Sequence, residues 1–251
     1  MIWLLGVAVL VGVLIGAVGV GGMLLIPALN LLTPLSIQAS MATALFTFIF
    51  TGIVGTWLFQ RRGSIDWTIT LPLCAGGALF GFVGAWVNAR LDARLLALIL
   101  AVLIFFAGVY TLCSGGSRAA ASFHDRPRMQ QLLLFGIGAV TGFGSGLTGV
   151  GGPALSVPLM VLFGFPALAA IGASQVIQII AAVPGSIGHL AQGHIDLRLA
   201  ALLTVFEVAG VWLGVQVGHA VDARALRNAV GVLCALVGAA LVVRVLVVQA
   251  L

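Results

Sequence analysis

Two long stretches without any ionisable side chain constrain the fold of this chain more than any other feature of its sequence. Residues 1–60 and 129–188 each run for 60 positions without Asp, Glu, Lys, Arg or His. A transmembrane helix needs about 20 mainly apolar residues, so each stretch has room for at least two membrane crossings. Only 7% of the residues are charged, against about 25% in soluble domains. The sequence therefore predicts an all-α polytopic membrane protein, with the lipid bilayer as its surroundings.

A glycine motif occurs once in each uncharged stretch. Gly-Ala-Val-Gly-Val-Gly-Gly at 16–22 matches Gly-Leu-Thr-Gly-Val-Gly-Gly at 146–152 glycine for glycine, at an offset of 130 positions. Two Gly-x-Ile-Asp segments, at 63–66 and 193–196, are separated by the same offset. A shared offset at widely spaced positions indicates internal duplication, which is common in transporter folds.

The duplication predicts a first transmembrane repeat at 1–113, a cytoplasmic linker at 114–129 and a second transmembrane repeat at 130–251. About four helices per repeat would make the repeats parallel, whereas five crossings per half would make them inverted. The positive-inside rule does not decide between the two, because both arrangements leave the same number of arginines in the cytoplasm. Both arrangements place Arg61, Arg62 and the linker on the cytoplasmic side.

The glycine motifs predict a broken or re-entrant helix in each half. Glycine costs about 1 kcal/mol relative to alanine in a helix interior, and Pro27 or Pro158 follows each motif. Glycine permits backbone conformations that aim successive N–H groups at one point, and a restarting helix adds a partial positive charge of about +0.5. Because the uncharged stretches hold no cationic side chain, this pattern favours an anion site built from backbone donors. The alternative is that the glycines only allow helices to pack closely.

These features resemble the TauE/SafE family, also called the TSUP family. The resemblance rests on the repeated Gly-x-Gly-Gly followed by proline, on Ala-Ile-Gly-Ala-Ser at 170–174 and on the Gly-x-Ile-Asp turns, and it covers nearly the whole chain. It implies a carrier in a bacterial-type inner membrane, with small anions such as sulfite, sulfonates and sulfoacetate as typical cargo. It also implies duplicated four-span units, which favours eight crossings. Met23 stands where the second copy has Pro153, so the two half-sites are not expected to be equivalent.

The candidate substrate-binding residues are the motif glycines and the hydroxyl and amide side chains near them. Hydroxyls and amides can donate hydrogen bonds to sulfonate oxygens. The alternative role for each is an interhelical hydrogen bond, which is worth about 0.6 kcal/mol in membranes. The predicted set is Gly19, Gly21, Gly22, Gly149, Gly151, Gly152, Thr43, Ser145, Thr148, Ser174, Gln175 and Gln178.

Glu207 is the acidic residue near the middle of an apolar span. A charge at such a position costs about 2.5–3.5 kcal/mol on insertion scales, so an acid retained there indicates a function. The predicted role is ion coupling, in which Glu207 carries a proton as the anion moves. The alternative is a protonated side chain bonded to a neighbouring helix.

Other function classes find little support in the sequence. His189 and His194 have no carboxylate or cysteine cluster beside them, so neither a metal nor another cofactor is expected. No nucleophile–base pair and no ATP-binding loop is recognisable, so the sequence predicts a secondary transporter rather than an enzyme. The arginines form no stripe with interleaved aromatics, which argues against a nucleic-acid partner. An anion channel and a non-transporting assembly or scaffold protein are alternatives, and the anion, the direction, the coupling ion and any homo-oligomer are left open.

Overall fold

The structure is a computed structural model that describes residues 2–19, 21–35, 37–88, 127–148, 151–191 and 195–249, with a few helical positions between 98 and 112. Every regular element in these ranges is helical, and none of them is a strand. The α-helices are α1 (Ile2–Val18), α2 (Leu25–Leu32), α3 (Ile37–Arg61), α4 (Trp67–Asn88), α5 (Pro127–Thr148), α6 (Pro153–Leu162), α7 (Ala167–Ala191), α8 (Leu197–Ala220) and α9 (Ala223–Gln249).

The lengths and surfaces of these helices are those of a membrane protein. Within the described ranges, three segments are long and apolar enough to cross a bilayer: Ala42–Arg61, Trp67–Gly84 and Leu197–Ala220. Large apolar side chains cover the outside, including all five tryptophans: Trp3, Trp57, Trp67, Trp86 and Trp212. The predicted all-α membrane protein is therefore confirmed, whereas the number of crossings stays a prediction.

The residues before and after each glycine motif form two separate helices rather than one continuous helix. In the first half these are α1 and α2, and in the second half they are α5 and α6. Helix α5 begins at Pro127, so the last three residues of the predicted linker are helical. The rest of that linker, residues 114–126, lies outside the described residues.

The α1–α8 and α4–α5 pairs approach so closely that glycine is needed at their contacts. In the α1–α8 pair, a Cβ at Gly12 would overlap the carbonyl oxygen of Glu207. In the α4–α5 pair, a Cβ at Gly138 would overlap the carbonyl oxygen of Leu73. Small residues at helix contacts let backbones approach in this way inside membranes. Each pair joins a helix of the first half to a helix of the second.

Helices α3 and α7 pack against each other, and each also packs against a long helix of the other half. Both contain 25 residues, and they begin at Ile37 and Ala167, which are 130 positions apart. Helices α4 and α8 begin at Trp67 and Leu197, again 130 positions apart. The starts of these two helix pairs thus keep the offset that separates the sequence motifs.

The Gly-x-Ile-Asp segments start α4 and α8. Asp66 accepts a hydrogen bond from the amide of Thr68 at 2.8 Å, and Asp196 accepts one from the amide of Leu199 at 3.0 Å. Aspartate at such positions satisfies amides that the first helical turn leaves unpaired. The aspartates of these segments are therefore helix caps.

The α3–α4 turn is also tied to the end of α8. Arg62 donates a hydrogen bond to the carbonyl oxygen of Val215 at 2.7 Å, and His219 Nδ1 lies 2.7 Å from the same oxygen. Ser64 Oγ lies 2.7 Å from His219 Nε2. Because a carbonyl oxygen can only accept, Nδ1 carries a proton and donates to Val215.

Replacing Gly138 with alanine tests the close α4–α5 contact. The added methyl group would overlap the backbone of α4, and overpacking costs about 1–3 kcal/mol, so we expect G138A to unfold at a lower temperature in detergent micelles. Gly136 in the same helix has open space around it. G136A should be neutral or stabilising, since alanine favours the helix by about 1 kcal/mol. Equal unfolding temperatures for the two variants would contradict the contact.

Candidate functional site

The first glycine motif interrupts the helical path between α1 and α2. Gly19 follows the end of α1 with φ of +75°, in the left-handed region that favours glycine. Its amide closes the last turn of α1 by donating to the carbonyl oxygen of Ile15 at 3.0 Å. Gly21 lies against α1, where a Cβ would be 2.7 Å from the carbonyl oxygen of Val11. A 3-10 turn at Gly22–Leu24 then leads into α2, so the chain leaves the axis of α1 while staying packed on it.

The second motif interrupts the path between α5 and α6 in a related way. Gly151 has φ of +90°, and Gly152 is the N-cap of α6. Pro153 takes the first helical position, where its missing N–H costs nothing because that group has no intrahelical partner. The amide of Ser156 donates to the carbonyl oxygen of Gly152 at 3.2 Å. The helix therefore restarts directly after the glycines.

The two motifs lie on either side of one aromatic ring. Phe48 of α3 is 1% exposed. A Cβ at Gly22 would be 2.6 Å from Cζ of Phe48, and a Cβ at Gly151 would be 3.5 Å from its Cδ2. Glycines of both halves therefore border the same side chain.

Helix α7 contacts both motifs as well. A Cβ at Gly19 would be 3.0 Å from Oγ of Ser174, and a Cβ at Gly152 would be 3.1 Å from a methyl carbon of Ile177. The Ser174 hydroxyl is buried and donates to the carbonyl oxygen of Ile171 at 2.7 Å. Its one hydroxyl hydrogen is therefore used within α7. Ser174 is thus a predicted site residue that the structure brings to a motif.

The two predicted glutamines brace α7 against helices of the first half. Gln175 Nε2 donates to the carbonyl oxygen of Ile15, in the last turn of α1, at 3.1 Å. Gln178 Nε2 donates to the carbonyl oxygen of Phe48 at 3.0 Å and to Oγ1 of Thr51 at 2.9 Å. An amide nitrogen has two hydrogens, so both hydrogens of Gln178 are used in this conformation, and one hydrogen of Gln175 remains.

The remaining predicted residues differ in their surroundings. Ser145, one turn before the end of α5, is buried, and its hydroxyl has no hydrogen-bond partner among the described residues. Thr43 accepts a hydrogen bond from the amide of Asp196 at 3.2 Å, which ties α3 to the start of α8. Gly149 and the side chain of Thr148 lie outside what the structure describes.

Glu207 lies buried where α1, α3 and α8 meet. Its backbone faces Gly12 of α1, and Thr47 of α3 lies beside its carboxyl group. The Thr47 hydroxyl donates to the carbonyl oxygen of Ala44 at 2.8 Å. Neither carboxyl oxygen of Glu207 has a hydrogen-bond partner among the residues that the structure describes. Buried polar groups are usually hydrogen-bonded, so this unpaired carboxyl group is an exception that a structural bond does not explain.

Metal ligation finds no support in the described part of the chain. No group of three His, Cys, Asp or Glu side chains there could hold a metal ion. The side chain of His189 and all of His194 lie outside that part.

Phe48 and Thr47 were not among the predicted site residues. A single phenylalanine in an apolar span carries no sequence signal, because aromatic residues are common in such spans. The threonines of α3 did carry a sequence signal. Thr43, Thr47 and Thr51 repeat at intervals of four, which places three hydroxyls on one face of α3, and all three are buried.

Comparisons with known proteins place the chain in a family. The family model described as "Sulfite exporter TauE/SafE" matches residues 4–241. The probable membrane transporter protein YdhB of Bacillus subtilis is 26% identical and aligns with 91% of this chain and 95% of its own length. The probable membrane transporter protein YunE of the same organism is 25% identical, with coverages of 86% and 88%.

A more distant relative, the probable membrane transporter protein MJ0441 of Methanocaldococcus jannaschii, is 20% identical over 89% of this chain and 90% of its own. No solved structure matches the chain. The family model nonetheless covers both glycine motifs and all the helices that carry the predicted site. On that match, the chain belongs to the TauE/SafE family of membrane transporters.

Proposed function

We propose that the chain is a secondary transporter of small anions, with sulfite or organosulfur anions such as sulfonates or sulfoacetate as its substrates. One observation supports this proposal above the others. Both uncharged stretches break their helices at glycine, and the two breaks border the same buried side chain, Phe48. Two helix restarts at one place in a region without cationic side chains supply backbone donors for an anion.

The proposed anion ligands are amides of the two breaks, helped by neighbouring hydroxyls. The first amides of a helix have no intrahelical partner. A 3-10 turn begins at Gly22 and leads into α2, and α6 restarts directly after Gly152. Gly21 and Gly22 would donate from the first half, and Gly149, Gly151 and Gly152 from the second. Gly19, whose amide donates to the carbonyl oxygen of Ile15, would shape the first break through its left-handed backbone. Hydroxyls and amides would shape selectivity: Ser174, Ser145, Thr148, Thr43, Gln175 and Gln178. Of these, Ser145 keeps an unused hydroxyl hydrogen and Gln175 keeps one amide hydrogen, whereas the Ser174 hydroxyl already donates to Ile171.

Transport by alternating access between two homologous halves is part of the proposal. The offset of 130 positions in both motifs and helix starts supports the duplication, and internal repeats are the usual basis of alternating access. We further propose eight crossings in a cell inner membrane, with the Arg61–Arg62 loop and the 114–129 linker in the cytoplasm.

Glu207 is the proposed site of ion coupling. Its buried carboxyl group lacks hydrogen-bond partners among the described residues, and it lies beside Thr47. The residue after Thr47 is Phe48, which borders both breaks. A change in the protonation of Glu207 would therefore act on the helix segment that also borders the anion.

The first test is anion-dependent stability of the purified protein. A ligand at 100 times its Kd stabilises the folded state by about 2.7 kcal/mol, so we expect at least one anion to raise the unfolding temperature in detergent. The panel is sulfite, thiosulfate, methanesulfonate, sulfoacetate and acetate. All tryptophans are exposed, so thermal unfolding is the better readout than their fluorescence. If none of these anions changes the unfolding temperature, a scaffold protein is favoured. If the protein passes an anion across the liposome membrane but does not exchange an anion on one side for an anion on the other, a channel is favoured.

Replacing Gly151 with leucine tests the breaks themselves. Leucine at φ of +90° is strained by about 1–3 kcal/mol, so the backbone amides of the second break would be misplaced. We therefore expect anion uptake into proteoliposomes to fall about tenfold or more. G136L changes a glycine of α5 with open space around it and should keep its uptake. Normal uptake of every anion by G151L would contradict the proposed site.

Replacing Glu207 with glutamine tests coupling. Glutamine keeps the size of the side chain but cannot gain or lose a proton. We expect E207Q to lose anion uptake driven by a pH gradient while it still exchanges anion across the liposome membrane at equal pH on both sides. Retention of the gradient-driven uptake would show that Glu207 does not carry the coupled proton.

A further inference from the structure

Phe48 occupies the space where the two glycine breaks come closest. Its side chain is buried, with 1% exposure. At Gly22, the three atoms nearest to an added Cβ are all from the tip of this ring: Cζ at 2.6 Å, Cε1 at 3.0 Å and Cε2 at 3.1 Å. At Gly151, the nearest atoms are Cδ2 at 3.5 Å and Cε2 at 3.8 Å. The first break therefore lies nearest to Cζ of the ring, and the second lies nearest to its Cδ2–Cε2 bond.

At the first break the ring presents its face near Cζ, because a Cβ at Gly22 would be almost as close to Cε1 and Cε2 as to Cζ. The ring lacks hydrogen-bonding groups, so it competes with no amide for the anion. Phe48 is thus compatible with the proposed site and limits its volume.

The backbone around Phe48 links the ring to two other proposed elements. Its carbonyl oxygen accepts a hydrogen bond from Gln178 of α7 at 3.0 Å. The preceding residue, Thr47, lies beside the carboxyl group of Glu207. A rotation of α3 that moved the ring away from the breaks would also move Thr47 relative to Glu207. The same short segment thus borders the anion on one side and the proposed proton carrier on the other.

We propose that Phe48 determines the size of the anion that the protein accepts, by filling the space between the two breaks. This inference rests on the proposed anion transport and adds the residue that sets substrate class. With the ring in place, the breaks hold a small oxyanion head group. A substituent as large as an aromatic ring fits only if the side chain of Phe48 is removed.

The test uses a ligand that replaces the missing ring. F48A would leave an apolar cavity of the size of benzene, and such cavities bind benzene-like groups. We expect F48A in detergent to bind benzenesulfonate at least about tenfold more tightly, relative to methanesulfonate, than the wild-type protein does, a ratio within reach of pocket discrimination. Binding is measured by thermal shift and by competition with labelled sulfite, and uptake into proteoliposomes follows.

Phe59 provides the matched control. It lies three turns further along α3, is equally buried with 0% exposure, and packs against His219 rather than against a glycine motif. F59A removes the same ring from the same helix, so it reports the effect of a generic cavity. F48L, which keeps an apolar side chain of intermediate size, replaces F48A if that variant does not fold, and should show a smaller change in the same direction.

The outcomes separate the inference from the proposal on which it rests. A gain of benzenesulfonate binding by F48A or F48L but not by F59A supports the assignment. If wild type binds methanesulfonate and both Phe48 variants keep its ratio of affinities, the inference is overturned while anion transport stands. If wild type binds no anion of the panel, the proposed function itself fails. An equal gain in F59A would also overturn the inference, because any cavity would then suffice.

Discussion

In hydrocarbon there is no water to satisfy a backbone group that a broken helix releases, and this requirement explains much of the structure around the glycine motifs. The end of α1 leaves the carbonyl oxygen of Ile15 near a break, and it receives hydrogen bonds from Gly19 and from the Gln175 side chain of α7. Gln178 makes the corresponding brace to α3. Two amide side chains of the second half therefore bond backbone carbonyls of the first, one at the end of α1 and one within α3. The breaks are compatible with a bilayer because helices of the other half cover them.

The same requirement relates stability to the proposed function. A helix restart exposes donors that must be paired with protein, water or ligand, and the glycines that create it lie in regions with no cationic side chain. An anion would complete this pairing. The glutamines that support the breaks use most of their own donors within the protein, so their first role is to hold the breaks in place, and the motif amides and free hydroxyls are left to contact the ligand.

How far the sequence predicts this molecule depends on the kind of signal. The charge-free stretches predict the membrane class, because burial in lipid excludes charge at every position. Four glycines in seven residues predict an interruption, and α1 and α5 end within the motifs. The partners of Gln175 and Gln178, however, depend on which helices become neighbours, and no local pattern reports that. Phe48 was missed for the same reason: its importance comes from contacts with Gly22 and Gly151, which are distant along the chain.

The glycine contacts of the α1–α8 and α4–α5 pairs have a mechanical consequence. Where two helices touch backbone to backbone, as at Gly12 and Gly138, there is no side chain between them that could change rotamer and let them slide. Each pair is therefore a rigid unit of two helices. Any large rearrangement of the protein would move each of these pairs as a unit relative to α3 and α7, whose contacts include side chains such as that of Gln178, which donates to the carbonyl oxygen of Phe48.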